Sequence, residues 1–105
     1  MRISGETMDK TIKLLQGMGA RRIILFGSMA VDPEHARDLD LAVEGIPLKR
    51  ALEADVAVHE TCGIPTDLVF REEDPAFFEI VQDYGRVLYD KNQDSARDRA
   101  RTAAA

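Results

Sequence analysis

The feature that most constrains this sequence is a break and a resumption within residues 24–43, ILFGSMAVDPEHARDLDLAV. An apolar run stops at a Gly-Ser pair, and a later run alternates acidic and apolar residues at positions 38–41. Alternation predicts a β-strand whose leucines face a core, while Asp38 and Asp40 share the opposite surface. Two carboxylates this close need a cation or a donor group beside them to offset desolvation and mutual repulsion.

Helices and strands alternate along the rest of the chain. Four short apolar segments predict strands, at residues 22–26, 38–43, 65–70 and 86–89. Helical spacing predicts three helices, whose buried faces are Met8, Ile12, Leu15 and Met18, then Leu48, Leu52 and Val56, then Phe77, Val81 and Tyr84. We expect an α/β (α+β) fold, a small mixed sheet of about four strands with helices mainly on one face, because the other face must stay open for a ligand.

Length and composition set the domain and exclude some functions. The 105 residues predict one domain at residues 1–90, followed by a polar, Ala-rich tail at residues 91–105 that is frayed or disordered. A net charge of -5 argues against strong nucleic-acid binding. A single cysteine, no signal-peptide pattern and no run of about 20 apolar residues predict a cytoplasmic protein without a membrane span.

A third acid extends the carboxylate pair. Asp67 lies within the third predicted strand and reaches the same surface as Asp38 and Asp40 if the two strands are neighbours, which the helix between them permits. Three carboxylates on a stiff scaffold suit Mg²⁺ or Mn²⁺. Two such ions would stabilise both the attacking and the leaving oxygens of a phosphoryl displacement.

The same acids have a simpler interpretation. Asp38 and Asp40 could be ordinary strand-edge carboxylates, each neutralised by Arg21, Arg22 or Arg37. The Gly-Ser pair and the third acid favour the metal site, because an ordinary ion pair requires neither of them.

Gly27 and Ser28 close the first predicted strand. A glycine lets the backbone approach a ligand closely and turn its N–H groups outward, and a serine adds a hydroxyl donor. A helix that begins at Ser28 would direct its positive end at the same anion. We therefore expect a phosphate site beside the metal site.

The segments LFGSMA, RDLDLAV and TDLVF together resemble the DNA polymerase beta-like nucleotidyltransferase superfamily, and most of all its minimal, MNT-type members. The closing segment FFEIVQDYGRVLYD extends the resemblance over residues 12–90. The resemblance implies that Asp38, Asp40 and Asp67 hold two Mg²⁺ ions, and that Gly27 and Ser28 hold ATP or another NTP. It also implies transfer of a nucleoside monophosphate to an acceptor hydroxyl with release of pyrophosphate, the third acid helping to deprotonate the acceptor.

The sequence departs from the family pattern in the loop. Small members often carry Arg after Gly-Ser, whereas this chain has Met29. Asp32 replaces a small residue, and Arg37 replaces the usual Ser before the acid pair. Arg37 is therefore the candidate cation of the nucleotide-binding loop, while the metal ligands are unaffected.

The resemblance leaves three functions open. The first is a nucleotidyltransferase that modifies a hydroxyl of a small helical HEPN-type partner, as antitoxin of a prokaryotic toxin–antitoxin pair. The second is an antitoxin that acts by binding alone and has a vestigial metal site. The third is a transferase for a small molecule such as an aminoglycoside, which would use a helical domain from another chain.

Overall fold

The computed structural model describes residues 3–92. Its elements are α1 (Gly5–Gly17), β1 (Arg22–Phe26), α2 (Ser28–Val31), β2 (Leu39–Glu44), a 3₁₀ turn (Leu48–Arg50), α3 (Ala51–Cys62), β3 (Thr66–Phe70), α4 (Pro75–Tyr84) and β4 (Arg86–Asp90). The four predicted strands are all present. The domain boundary at residue 90 stays a prediction, and residues 93–105 of the predicted tail lie outside the described residues.

The four strands form one mixed sheet in the order β3-β2-β1-β4. β2 runs parallel to β3 and antiparallel to β1, and β4 pairs with β1 in antiparallel register. Parallel neighbours need a crossover connection, which α3 supplies between β2 and β3. The mixed four-stranded α/β architecture expected from the sequence is confirmed.

The two faces of the sheet are covered unequally. One face packs against α1 and α3 in the main core, which includes Leu15, Ile23, Leu25, Leu39, Leu41, Val43, Ala54 and Val58. On the other face, Phe78 and Val81 of α4 pack against Ile24 and Ala42, and the partly buried Phe26 and Phe77 border this smaller cluster. Most of the helical packing is therefore on one face, as expected, and α4 leaves part of the second face uncovered.

The prediction for the buried face of α3 is wrong. Leu48, Leu52 and Val56 are 45%, 75% and 48% exposed, whereas Ala54 and Val58 are fully buried. Ala54 and Val58 are four residues apart and therefore lie on one side of α3, the side that packs into the main core.

The prediction for α4 is partly wrong. Val81 is buried as expected, but Tyr84 is 64% exposed and Phe78 is fully buried in its place. The helix begins where capping chemistry favours it, because the Asp74 carboxylate accepts a hydrogen bond from the Phe77 amide and Pro75 occupies the first turn.

Gly85 sets how closely α4 approaches β1. A Cβ at this position would lie 2.5 Å from Ile24 Cγ2 and 2.8 Å from the Val81 carbonyl oxygen. We expect Gly85→Ala to destabilise the fold by about 1–3 kcal/mol, the usual cost of overpacking. Gly17→Ala is the control, because its Cβ would meet nothing within 4 Å. Denaturant unfolding of both variants tests this, and equal midpoints would contradict it.

Candidate active site

Asp40 and Asp67 lie side by side on neighbouring strands. They are register partners in the parallel ladder of β2 and β3, and registered residues of adjacent strands point to the same face about 4.8 Å apart. Asp38 is exposed and immediately precedes β2, on the same side by alternation. The prediction that these two strands are neighbours is confirmed.

The end of β1 completes the site. Phe26 is the register partner of Asp40 on the other side, and Gly27 follows it with φ +72°. A Cβ on Gly27 would collide with the Asp40 carboxylate, with Asp40 Cγ 3.1 Å and Cβ 3.3 Å away. The glycine is therefore required both by its backbone conformation and by the close approach of Asp40. Ser28 is exposed and begins α2.

The three carboxylates affect one another electrostatically. Burial raises the pKa of the Asp40 carboxyl above its usual value, and the charges of Asp67 and then Asp38 raise this pKa further. Within residues 3–92, none of the three acids forms an ion pair or a side-chain hydrogen bond. Their mutual repulsion is therefore uncompensated by protein groups in the described part of the chain.

The nearby arginines are occupied elsewhere. Arg21 lies 3.5 Å from a Glu44 carboxylate oxygen, and Arg22 lies 3.7 Å from Glu44 and 3.5 Å from Asp90. These pairs stand at the opposite end of the sheet from the Asp40–Asp67 pair, since Arg22 pairs with Glu44 and Asp90 in the ladder. The simpler interpretation of the acids as partners of Arg21 or Arg22 is therefore wrong. Arg37 is exposed and forms no ion pair with the described residues.

The donor set fits a divalent cation, although no site is preformed. Among residues 3–92, no three His, Cys, Asp or Glu side chains already stand as a metal-binding cluster. Asp40 and Asp67 are held by the sheet, whereas Asp38 precedes the strand and would have to turn its carboxylate toward them. Oxygen-only ligands with uncompensated charge match what Mg²⁺ and Mn²⁺ require.

Two aromatic residues border the acids, and the sequence pattern assigns neither of them to the site. The rings of Phe26 and Phe77 meet edge to face, with centroids 5.8 Å apart and an interplanar angle of 72°. Phe26 is the cross-strand neighbour of Asp40, so this pair brings the first turn of α4 to the edge of the site. The only sequence signal for Phe26 is its position directly before the Gly-Ser pair.

Solved structures share this arrangement of strands and helices, and the chain has a nucleotidyltransferase fold. A crystal structure of the toxin–antitoxin MntA-HepT has a TM-score of 0.65 at 21% identity, covering 96% of this chain and 85% of that chain. A toxin–antitoxin structure with AMP-PNP has a TM-score of 0.68 at 24% identity, covering 91% and 83%. A crystal structure of a mutant MntA-HepT pair has a TM-score of 0.68 at 24% identity, covering 92% of this chain and 83% of that chain.

Sequence comparison adds nothing to this likeness, since no family model and no curated protein matches the chain. The resemblance to minimal, MNT-type nucleotidyltransferases is confirmed as a shared fold. None of the helices within residues 3–92 is long and apolar enough to cross a membrane.

Proposed function

We propose that this chain is a nucleotidyltransferase that moves a nucleoside monophosphate from an NTP, most simply ATP, to a hydroxyl of a partner protein. The partner would be a small helical HEPN-type toxin, with this chain as the antitoxin of the pair. The observation that carries the proposal is the register of Asp40 with Asp67, beside Gly27, where a Cβ would collide with the Asp40 carboxylate. Similar folds in MntA-HepT structures, one with AMP-PNP, support the same class.

Each residue has a distinct task in this proposal. Asp38 and Asp40 would hold Mg²⁺ on the triphosphate, and Asp67 would share an ion with Asp40 on the acceptor side. Bound cations would neutralise the triphosphate and polarise its phosphoryl oxygens. Gly27 and Ser28 would donate their backbone N–H groups, and the Ser28 hydroxyl, to phosphate oxygens.

The chemical step is a displacement at the α-phosphorus. The acceptor oxygen forms a bond to that phosphorus, the bond to the bridging α,β-oxygen breaks, and pyrophosphate leaves with the electron pair. Asp67 would accept the acceptor's proton, since it is exposed and lies beside Asp40 at the edge strand β3. Holding both reactants in line supplies much of the rate in such transfers.

The direct test is transfer itself. The chain is incubated with labelled ATP, Mg²⁺ and the product of the neighbouring gene as the candidate partner, and intact mass is measured on both proteins. We expect the partner to gain one or more nucleoside monophosphates only when all components are present. A partner of unchanged mass, from a preparation that still binds Mg-ATP and the partner, would contradict the proposal.

One observation favours the binding-only antitoxin as a second candidate. The acids within residues 3–92 do not form a ready three-ligand cluster, as expected of a vestigial metal site. The two functions separate in cells that express the toxin. Loss of protection by an Asp40 variant that still binds the partner supports catalysis, and retained protection supports binding alone.

Metal binding should also be visible in stability. Mg²⁺ or Mn²⁺ is expected to raise the melting temperature, because a ligand that binds only the folded state stabilises it by mass action. Replacing both Asp38 and Asp40 by Asn should abolish this response. It should also stabilise the metal-free protein by about 0.2–1 kcal/mol, the range of exposed charge interactions. Thermal unfolding with and without Mg²⁺ measures both effects.

The stability that the double Asn variant gains in the absence of metal should depend on pH. The folded-state pKa of Asp40 is raised, so the folded chain binds the proton more tightly than the unfolded chain, and stability falls as pH rises through this range. The advantage of the Asn variant should therefore be present at pH 7 and vanish at about pH 3, below the usual Asp pKa. Asp9→Asn with Glu60→Gln makes the same charge change at exposed helical positions. A double Asn variant that responds to Mg²⁺ like the parent would show that the cation binds elsewhere.

A further inference from the structure

Helix α4 has an apolar side wider than the sheet covers. Phe78 and Val81 are fully buried against the sheet, yet Ile80 and Tyr84 are 55% and 64% exposed. Residues 77, 80 and 84 follow the i, i+3, i+7 spacing that places side chains on one side of a helix. The exposed flank of α4, defined here as Phe77, Ile80 and Tyr84, is therefore one continuous apolar strip along the helix.

Contacts on its two sides fix the orientation of α4. On one side, Gln82 accepts a hydrogen bond from the Arg22 guanidinium, at the start of β1. On the other side, the Phe77 ring meets Phe26, at the end of β1 where Gly27 follows. The helix therefore lies across β1, and its exposed flank is on the side of Phe26 and of its register partner Asp40.

Charge flanks this apolar strip on both sides. Glu79 and Asp83 are exposed, and they lie beside Ile80 on the circumference of the helix. On the side of Phe26, the exposed carboxylates of Asp38 and Asp67 lie at the end of the sheet that carries Asp40. An apolar strip between two acidic zones is complementary to an amphipathic helix that carries an apolar stripe flanked by Lys or Arg.

We propose that the exposed flank of α4 is the docking surface for a basic amphipathic helix of the partner protein, the one that carries the acceptor hydroxyl. This inference rests on the proposed function and names the partner surface of the same site. Docking there seats the partner beside Asp40 and Asp67, so that one contact both binds the partner and presents its hydroxyl. The surface would thereby let so small a domain select its acceptor through contact with the partner chain.

The apolar part is tested with Ile80→Glu combined with Tyr84→Glu. The probe is the product of the neighbouring gene, the same candidate partner as in the transfer assay, and its affinity for the full chain is measured by calorimetry. We expect at least about a tenfold loss of affinity, as for truncation of an interface centre. Leu52→Glu is the matched control, because Leu52 is 75% exposed on α3 and should leave the affinity unchanged. Mg-ATP affinity and the melting temperature of both variants verify that site and fold are intact.

The charged part has its own test. Glu79→Lys with Asp83→Lys should weaken binding and reduce its salt dependence, whereas Glu60→Lys on α3 should do neither. Parent-like affinity in both the apolar and the charge variants would overturn the proposal. A dimer of this chain alone, seen by sedimentation and lost in the apolar variant, would also overturn it by assigning the flank to a second copy.

The outcomes also separate this proposal from the proposed function. Loss of partner binding in the α4 variants, with no labelling by the parent, would keep the docking surface and remove the transfer reaction. Labelling by the parent that survives at the same rate in the α4 variants would keep the reaction and remove the docking surface.

Discussion

Replacing Asp67 by Ala is expected to abolish transfer to the partner while leaving Mg-ATP affinity within a few-fold of the parent. Asp67 is exposed on the edge strand β3, beside Asp40. In the proposed mechanism its loss would leave the ligands of the triphosphate in place and remove the group that positions and deprotonates the acceptor oxygen. Calorimetry with Mg-ATP and intact mass of the partner measure the two effects separately.

Asp38→Ala and Asp40→Ala should differ from Asp67→Ala, because each should abolish nucleotide binding as well as transfer. Both residues would hold the cation on the triphosphate, whose charge is otherwise unneutralised beside acids that repel it. Ser28→Ala should be milder, since the backbone N–H groups remain and one hydroxyl contact to an anion contributes about 1–3 kcal/mol. Unchanged labelling by the Asp67 variant would remove that residue from the mechanism.

Much of this site could be predicted because its signals are local. Strand alternation places Asp38 and Asp40 on one surface whatever the rest of the fold does. The neighbouring position of Asp67 follows from a single crossover, because a strand, a helix and a strand favour parallel pairing. The arrangement of the side chains could not be predicted, because sequence spacing does not say whether three carboxylates already converge or are brought together only by a bound cation.

The helix faces were harder, and α3 shows why. Leu48, Leu52 and Val56 recur every fourth residue, a spacing that drifts around a helix of 3.6 residues per turn. The buried Ala54 and Val58 follow one side of the helix, but alanine is a weak signal of burial. Hydrophobicity alone does not decide which side is buried, because Val56 is 48% exposed whereas Val58, the same residue type, is fully buried in the main core.

The exposed part of the apolar side of α4 could not be predicted from the sequence either. Phe77, Val81 and Tyr84 fit one helical stripe, and the stripe is real, but the sheet beneath α4 covers only part of it. Periodicity reports that a helix has an apolar side. It cannot report how much of that side the same chain covers, which is where a partner surface would be expected.

Gly27→Ala is expected to abolish Mg-ATP binding at a modest cost in stability. Gly27 has φ +72° and ψ -159°, a combination that only glycine adopts readily, so an L-residue there is strained by about 1–3 kcal/mol. The added Cβ also occupies the position of the Asp40 carboxylate, so that side chain must rotate away from the site. The phosphate-facing turn and a metal ligand would thus be disrupted together by one methyl group.

Gly63 separates these two effects. It ends α3 at φ +71° and ψ 10°, a left-handed conformation that also favours glycine, and a Cβ there would meet nothing within 4 Å. Gly63→Ala should therefore show backbone strain without a collision, with a loss of unfolding free energy no larger than that of Gly27→Ala and parent-like Mg-ATP affinity. Denaturant unfolding and calorimetry on both variants make the comparison. If Gly27→Ala binds Mg-ATP as well as Gly63→Ala does, the Asp40 carboxylate is not a ligand of the cation that accompanies ATP.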